Sequence, residues 1–298
     1  SSANNIVLVE SGKQYKVLTL TDCFEYDEKT YNYYGSYSFT GTKIEQAVVT
    51  AMLNVTTDDK VVVDMIKGNN EQDYSSLKTL LENNAYQVNE VSLATGDFDS
   101  NAKIAIMYAP SVDLDEKIVE KLSTWLSNDG KYGRSLIYVP TADMGEMPNL
   151  DDFLKEWGMS IDRGYVFETD ESTLVSASSP YAFTVSYGDY YKDNLKNSKI
   201  PVVVSESHAV NITDENTAHA LLKTSDKAGV LPIDADKNWD YKDAVSGNGE
   251  NVAAEGVMTN EDKNSSRVII FGSYVMFSDT IMKYNSFNNS AYFMNVIN

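Results

Sequence analysis

The residues with the clearest chemical potential lie in Lys67-Gly68-Asn69-Asn70-Glu71. This turn joins an apolar run, Val61 to Ile66, to an amphipathic stretch with Tyr74, Leu77, Leu80 and Leu81 inward. In open α/β sheets ligands bind beyond the carboxyl ends of the strands, so Gly68, Asn69, Asn70 and Glu71 are candidate ligand contacts. Ser111, in Ala109-Pro110-Ser111 after the next buried run, is a fifth. A glycine turn into a helix start holds an anion through its N–H groups, and Glu71 is also the first-turn carboxylate that a helix dipole favours. Neither G-x-G-x-x-G nor G-x-x-x-x-G-K-[ST] occurs, so no nucleotide site is expected.

Other reactive side chains are sparse. Cys23, the one cysteine, lies in Thr21-Asp22-Cys23-Phe24, away from any strand-to-helix elbow, and reads as a small buried hydrophobe. The turns Ala109-Pro110-Ser111 and Pro140-Thr141-Ala142 carry neither Cys nor G-x-S-x-G, which argues against a Ser or Cys hydrolase. Glu206 and His208 form a metal pair only if a third ligand arrives, and His219 stands apart. Asp234, Asp236, Asn238 and Asp240 place oxygen side chains at every second position, as in the first half of a calcium loop. The sixth position is Trp239 instead of Gly and the twelfth is Val245 instead of Glu. A solvated acidic loop is therefore the better reading, and neither a metal nor a cofactor is expected.

Composition narrows the classes. Over 298 residues, Asp plus Glu is 44 and Lys plus Arg is 24, a net charge of −20. Such a surface repels nucleic-acid phosphates and anionic lipid headgroups. Apolar residues at 42% suffice for a packed core. No stretch reaches the roughly 18 apolar residues of a membrane span. The chain begins Ser1-Ser2-Ala3 and ends Asn295-Val296-Ile297-Asn298 in an apolar helical pattern of Ala291, Tyr292, Val296 and Ile297. These ends suit an ectodomain cut from flanking membrane segments, or a complete soluble chain with a processed start; both stay open.

The elements that must hold the candidate turn follow from periodicity. Ile6 to Val9 and Tyr15 to Leu20 read as a hairpin around Gly12-Lys13. A tyrosine-rich loop, Phe24 to Phe39, is expected to pack. Thr42-Lys43-Ile44-Glu45 reads as a capping box opening a helix through Val55. Strand patterns at Val61–Ile66, Tyr86–Leu93, Ile104–Tyr108 and Leu136–Val139 are then interleaved with helical ones in the order β-α-β-β-α-β. Asp113-Leu114-Asp115-Glu116 reads as a second capping box, Gly130 as a helix C′ residue, and Asn149 as the cap of a short helix through Trp157. The second half is richer in strands, among them Pro201–Val204 and Val268–Phe271, with a polar loop from Asp234 to Asn251. The expected fold is α/β: a mostly parallel sheet covered by helices on both faces, flavodoxin-like or class I amidotransferase-like. Residues 1–57 form an N-terminal β-hairpin-and-helix extension, and 58–298 the α/β domain.

The order of these motifs resembles the extracytoplasmic domain of GldG-like, gliding-motility-type ABC transporter auxiliary proteins. The resemblance rests on the Lys60–Val63 strand, the Gly68-x-x-Glu71 turn, Ala109-Pro110-Ser111 through Leu126, and Asn149-Leu150-x-x-Phe153-Leu154-x-x-Trp157-Gly158. It continues in Ala220–Ser225, Val252–Ala254, Arg267–Ser273 and Asn289–Asn298, covering Lys16 to the end. The family often shows a Gly-His-Gly-Glu-like turn; here Gly68-Asn69-Asn70-Glu71 keeps the outer residues and lacks the imidazole. The resemblance implies anchoring by flanking membrane helices, placement on the extracytoplasmic face of the cell membrane, and partnership with an ABC permease and ATPase. It supplies no substrate or reaction. Three functions follow: a non-enzymatic ectodomain binding a partner or ligand; an amidotransferase-like enzyme acting on a cell-envelope sugar or peptide with Glu71 as acid or base; and a soluble ligand-binding protein feeding a transporter.

Overall fold

The computed structural model describes residues 6–26, 35–236, 238–245, 247–282, 284 and 286–298. The chain divides into two compact units, one of Ser1–Val61 with Lys78–Gln87 and one of Val62–Leu77 with Val88–Asn298.

The first unit opens with a hairpin, β1 (Val7–Ser11) and β2 (Gln14–Leu18), in antiparallel register. Gly12 at φ +59 takes the first turn position, where an L side chain is strained. A short helix α1 (Leu20–Cys23), the strand pair β3 (Phe24–Tyr26) and β4 (Phe39–Thr42), and helix α2 (Ile44–Thr56) follow. Leu18, Cys23 and Ala51 are buried together, with Val9, Phe24, Ala47 and Val48 packed around them. Cys23 is thus a core residue of this unit. Part of the tyrosine-rich loop, 27–34, lies outside the described residues. The capping box expected at Thr42 does not form: Lys43 is the N-cap and its side chain makes no cap bond, while Thr42 Oγ1 accepts only the Ile44 N–H, at 3.5 Å. A reciprocal box forms at α1 instead, where Asp22 Oδ2 accepts from the Thr19 N–H and hydroxyl, both at 2.7 Å.

The second unit is built on a ten-stranded sheet. Strands β5 (Val62–Ile66), β6 (Gln87–Val91), β7 (Ala102–Tyr108) and β8 (Ser135–Val139) are interleaved with helices α3 (Ser75–Asn83), whose residues from Lys78 on belong to the first unit, α4 (Glu116–Ser127) and α5 (Pro148–Glu156), with β6 running to β7 without a helix between them. Small strands β9 (Met159–Ile161), β10 (Tyr165–Phe167) and β11 (Leu174–Ser176) lead into β12 (Ser179–Tyr187), β13 (Val202–Ser205), β14 (Val210–Ile212), β15 (Ala218–Lys223) and β16 (Gly229–Leu231). Helix α6 (Tyr241–Ala244), strands β17 (Asn251–Thr259) and β18 (Ser265–Phe271), and helices α7 (Asp279–Met282) and α8 (Asn289–Ile297) complete the chain. Tyr292 and Ile297 of α8 are buried as its apolar pattern predicts, whereas Ala291 is exposed.

Across the sheet the order runs β6-β5-β7-β8-β18-β17-β15-β12. Taking β5, β6, β7, β8 and β18 as first to fifth, the first five positions read 2-1-3-4-5, the flavodoxin-like order. β5, β7, β8 and β18 are mutually parallel. β5 and β8 are buried at every position, as strands covered on both faces must be. Helices α4 and α5 cover one face through Leu122, Trp125, Leu150 and Phe153 against Met107, Leu136, Tyr138 and Ile270. On the other, Phe293 of α8 meets Phe271 and Phe277 at ring distances of 5.8 and 5.1 Å. The strand-rich second half continues the same sheet antiparallel, through β17, β15 and β12.

Three helix ends differ from their sequence reading. Asp115, not Asp113, caps α4 through the Lys117 N–H. Asp113 instead accepts the Asn149 and Leu150 N–H groups at 3.0 and 3.2 Å, capping α5 from a distant part of the chain. Met147 is the N-cap of α5, and Asn149 donates its side-chain amide to Leu114 O. At the far end of α4, Asn128 at φ +49 is the C-cap, ahead of Gly130.

Candidate functional site

In the 2-1-3-4-5 order the crevice at the carboxyl ends of β5 and β7 is the topological switch point, where ligands of this architecture bind. The sequence-predicted residues stand there. The turn after β5 places Gly68 at φ +117, and a Cβ there would meet Ser92 Oγ at 3.4 Å. Asn70 follows at φ +57, and Ala109, beginning the turn after β7, is at φ +48. The two turns are sewn together: Ser111 N–H donates to Asn69 O (3.0 Å), Asn70 Nδ2 to Ser111 Oγ (2.6 Å) and Gln72 N–H to Ala109 O (3.3 Å).

Glu71 completes the closure. Its Oε2 accepts the Gly68 N–H at 3.1 Å and its Oε1 the Asn69 N–H at 2.8 Å, with the Asn69 amide at 3.3 Å. The chain's own carboxylate therefore occupies the position an anionic ligand would take over those donors. Structure brings Gly68, Asn69, Asn70, Glu71 and Ser111 into one cluster whose polar groups are spent on one another.

The neighbouring strand ends are equally occupied. His208 is 1% exposed and stacks on Tyr165 at 5.6 Å. Its ring nitrogens lie 3.0 Å from Gly164 O and Thr141 O, so neither is directed to a metal or substrate. Glu206, exposed and at φ +51, does not join it. Tyr165 donates to Ala142 O, and burial together with the nearby Asp143 carboxylate pushes its phenol upward. Gly272 after β18 has no room for a side chain, because a Cβ would sit 2.4 Å from His208 O.

An open space lies beside this closed crest. A cleft of about 450 Å³ is floored by Tyr108, Tyr274 and Phe277 and rimmed by Asp73, Ser75, Ser76, Ser278 and Asp279. Tyr108 ends β7 and Tyr274 follows β18, so the cleft belongs to the carboxyl side of the parallel strands. Tyr108 donates to Tyr274 O at 2.9 Å, and burial raises its phenol far above the ordinary range. Asp73 and Asp279 are exposed at the rim; Ser75 Oγ donates to Asp73 (2.7 Å) and Ser76 Oγ to Asp279 (3.4 Å). Aromatic floor, hydroxyls and two carboxylates make a surface for a cationic or hydroxyl-bearing group, and none of its hydroxyls is backed by an imidazole. Sequence reading missed these residues. The signal was Val268–Phe271, a buried strand whose end deserves the same attention as that of Val61–Ile66.

The calcium-like stretch turns its oxygens inward on the local backbone. Asp236 accepts the Asn238 N–H and Asp240 caps α6 through the Lys242 N–H, while Trp239 packs on Phe167 at 5.6 Å. Asp234 shares no site with them, and among the described residues no group of three or more His, Cys, Asp or Glu is placed to hold a metal. The expected polar loop thus contains a helix. No helix among the described residues is long and apolar enough to cross a membrane.

Set against known proteins, the chain matches no family profile and no curated sequence. Solved structures resemble it to different degrees. The mmIFT52 N-terminal domain superposes with a TM-score of 0.57 at 15% identity, over 79% of this chain and 95% of that one. PurLQS from Thermotoga maritima gives 0.39 at 11% identity, over 80% of this chain and 98% of that chain. A glutamine amidotransferase from the same organism gives 0.40 at 9%, over 76% and 80%.

Proposed function

We propose that this chain is a non-enzymatic binding domain, the extracytoplasmic part of a GldG-like auxiliary component of an ABC transport system. It takes a segment of a partner protein in the Asp73/Asp279 cleft. The observation that carries the non-enzymatic reading is the closed switch-point crevice. Glu71 is consumed by Gly68 and Asn69, and Ser111 by Asn70, at the place where an enzyme of this topology would keep free groups. What remains open suits recognition: exposed carboxylates on an aromatic platform, in a chain of net charge −20. Opposite charge steers partners at long range and falls away with salt, so the segment received is a basic one. The membrane anchoring and the identity of the partner rest on the sequence resemblance.

Co-expression of the full-length product with the ABC permease and ATPase of its system tests this reading. The expected result is a complex that co-purifies, weakens as salt rises, and is lost in the Asp73→Lys/Asp279→Lys double variant with its fold intact by circular dichroism. A complex indifferent to both changes would remove the cleft from the account. Turnover of a glycan or peptide that disappears in Glu71→Gln would replace the binding role with an enzymatic one.

A further inference from the structure

Buried polar atoms in native proteins are nearly always hydrogen-bonded, so each exception asks what partner is missing. Among the described residues three buried side-chain nitrogens have no hydrogen-bond partner: Trp125 Nε1, Arg134 Nε and His219 Nε2. His219 Nε2 lies 3.1 Å from a Glu255 carboxylate oxygen, which accounts for it. Nothing accounts for the other two, and both side chains line one cleft of about 670 Å³.

This cleft runs along α4, apart from the crest at the carboxyl ends of the strands. Lys121 and Trp125 come from the helix, Phe98 from the segment before β7, and Arg134 from the position just before β8. Trp125 is 6% exposed. Phe98 stacks on its ring at 4.5 Å, and Arg134 Cζ stands 5.2 Å from the ring centre. The two donors without an acceptor therefore belong to neighbouring side chains. Arg134 is also fixed in place, because its Nη1 donates to Trp125 O at 2.8 Å. Among the described residues it forms no ion pair. Burial holds its guanidinium below the ordinary value, and the Asp129 carboxylate offsets only part of that.

We propose that this cleft binds a small organic monocarboxylate, whose oxygens accept the Trp125 and Arg134 N–H groups and whose apolar body lies against Phe98. Two adjacent donors without an acceptor call for an acceptor ligand, and an unpaired, partly buried guanidinium calls for an anionic one. The rest of the lining limits that charge. It carries four carboxylates, Asp97, Asp99, Glu120 and Asp129, against three cations, Lys117, Lys121 and Arg134. Lys121 is already committed to Asp97 at 2.8 Å and to the Leu93 and Gly96 carbonyls. A dianion such as phosphate is therefore repelled, whereas a single negative charge is met by Arg134. The volume is that of a small-molecule site. Both donors are shielded from water in this structure. The carboxylate enters as Phe98, half-buried and held by packing, turns off the indole. This site is independent of the Asp73/Asp279 cleft and of the partner proposed for it.

Heteronuclear NMR of the chain, titrated with benzoate as the probe, tests this directly. The Trp125 indole N–H and the Arg134 Nε–H resonances should shift together and saturate, while the indole signals of Trp157 and Trp239 stay in place. Benzyl alcohol, with the same ring and no carboxylate, and inorganic phosphate should leave both resonances where they are. Trp125→Phe keeps a ring and loses the donor, and Arg134→Lys keeps the charge and loses the Nε–H. Each should weaken benzoate at least about tenfold with unchanged circular dichroism. The comparison of benzoate with benzyl alcohol and phosphate on the parent chain decides the matter even where a variant fails to fold. The absence of a saturable shift overturns the proposal, as does an equal response to benzyl alcohol or to phosphate, or benzoate binding that both folded variants retain.

Discussion

Replacing Glu71 by alanine is the sharpest probe of the switch-point crest. The carboxylate accepts two backbone N–H groups at 3.1 and 2.8 Å and a side-chain amide at 3.3 Å. A charge-assisted hydrogen bond in a dry interior contributes about 1.5–3 kcal/mol. Glu71 is half-buried, so water takes over part of what the carboxylate leaves. The scale is then that of a lost helix cap, about 0.5–2 kcal/mol, and with two backbone donors released the upper half of that range applies. Urea denaturation should show a loss of about 1–2 kcal/mol for Glu71→Ala at unchanged m-value, and roughly half of it for Glu71→Gln, which keeps one acceptor. The vacated donors should also gain a taste for anions. Sulfate should stabilise Glu71→Ala more than the parent when compared with chloride at matched ionic strength. A loss of several kcal/mol would mean a buried, paired carboxylate. No loss and no sulfate response would mean that these hydrogen bonds do not form in solution.

Three other perturbations address the scaffold. Asp113→Ala should cost about 1–2 kcal/mol and deprotect the amides of Asn149 and Leu150 in hydrogen exchange, while Asp113→Asn, itself a good cap, recovers most of it. Asp64 is 1% exposed, and burial raises its carboxyl above the usual range despite the Asp99 N–H at 2.7 Å. A raised folded-state value means the folded chain holds that proton more tightly than the unfolded one. The group's stabilising contribution is therefore present at low pH and lost as pH rises through the folded value. Asp64→Asn should accordingly melt higher than the parent at neutral pH, with the gap narrowing as pH falls through the carboxylate range. Gly272→Ala would place a Cβ 2.4 Å from His208 O and 3.0 Å from Val252 O, both backbone atoms, and should cost about 1–3 kcal/mol in equilibrium unfolding.

Periodicity alone determined the β-α-β-β-α-β-α order of strands and helices from Val61 to Trp157. A strand covered on both faces must be apolar throughout, as Val62–Ile66 and Ser135–Val139 are nearly so, and a surface helix must show one stripe. The turn Gly68–Glu71 was legible for the same reason, since it is the polar interval between two such patterns. Local signals misled where the partner is remote. Asp113 has the form of a cap for the helix beside it, yet its carboxylate reaches α5, which only packing brings near. Asn149 likewise spends its side chain on Leu114 O.

Only tertiary structure decided that β18, more than a hundred residues after β8, inserts parallel beside it and makes β5, β6, β7, β8 and β18 a 2-1-3-4-5 sheet. That pairing brings Tyr274 and Asp279 to the end of β7 and creates the cleft with Asp73. No periodicity encodes such a register, because backbone hydrogen bonds are the same for every sequence and burial alone selects the neighbour. The sequence named the turn, and the assembled sheet determined that it is shut and that an open cleft lies beside it.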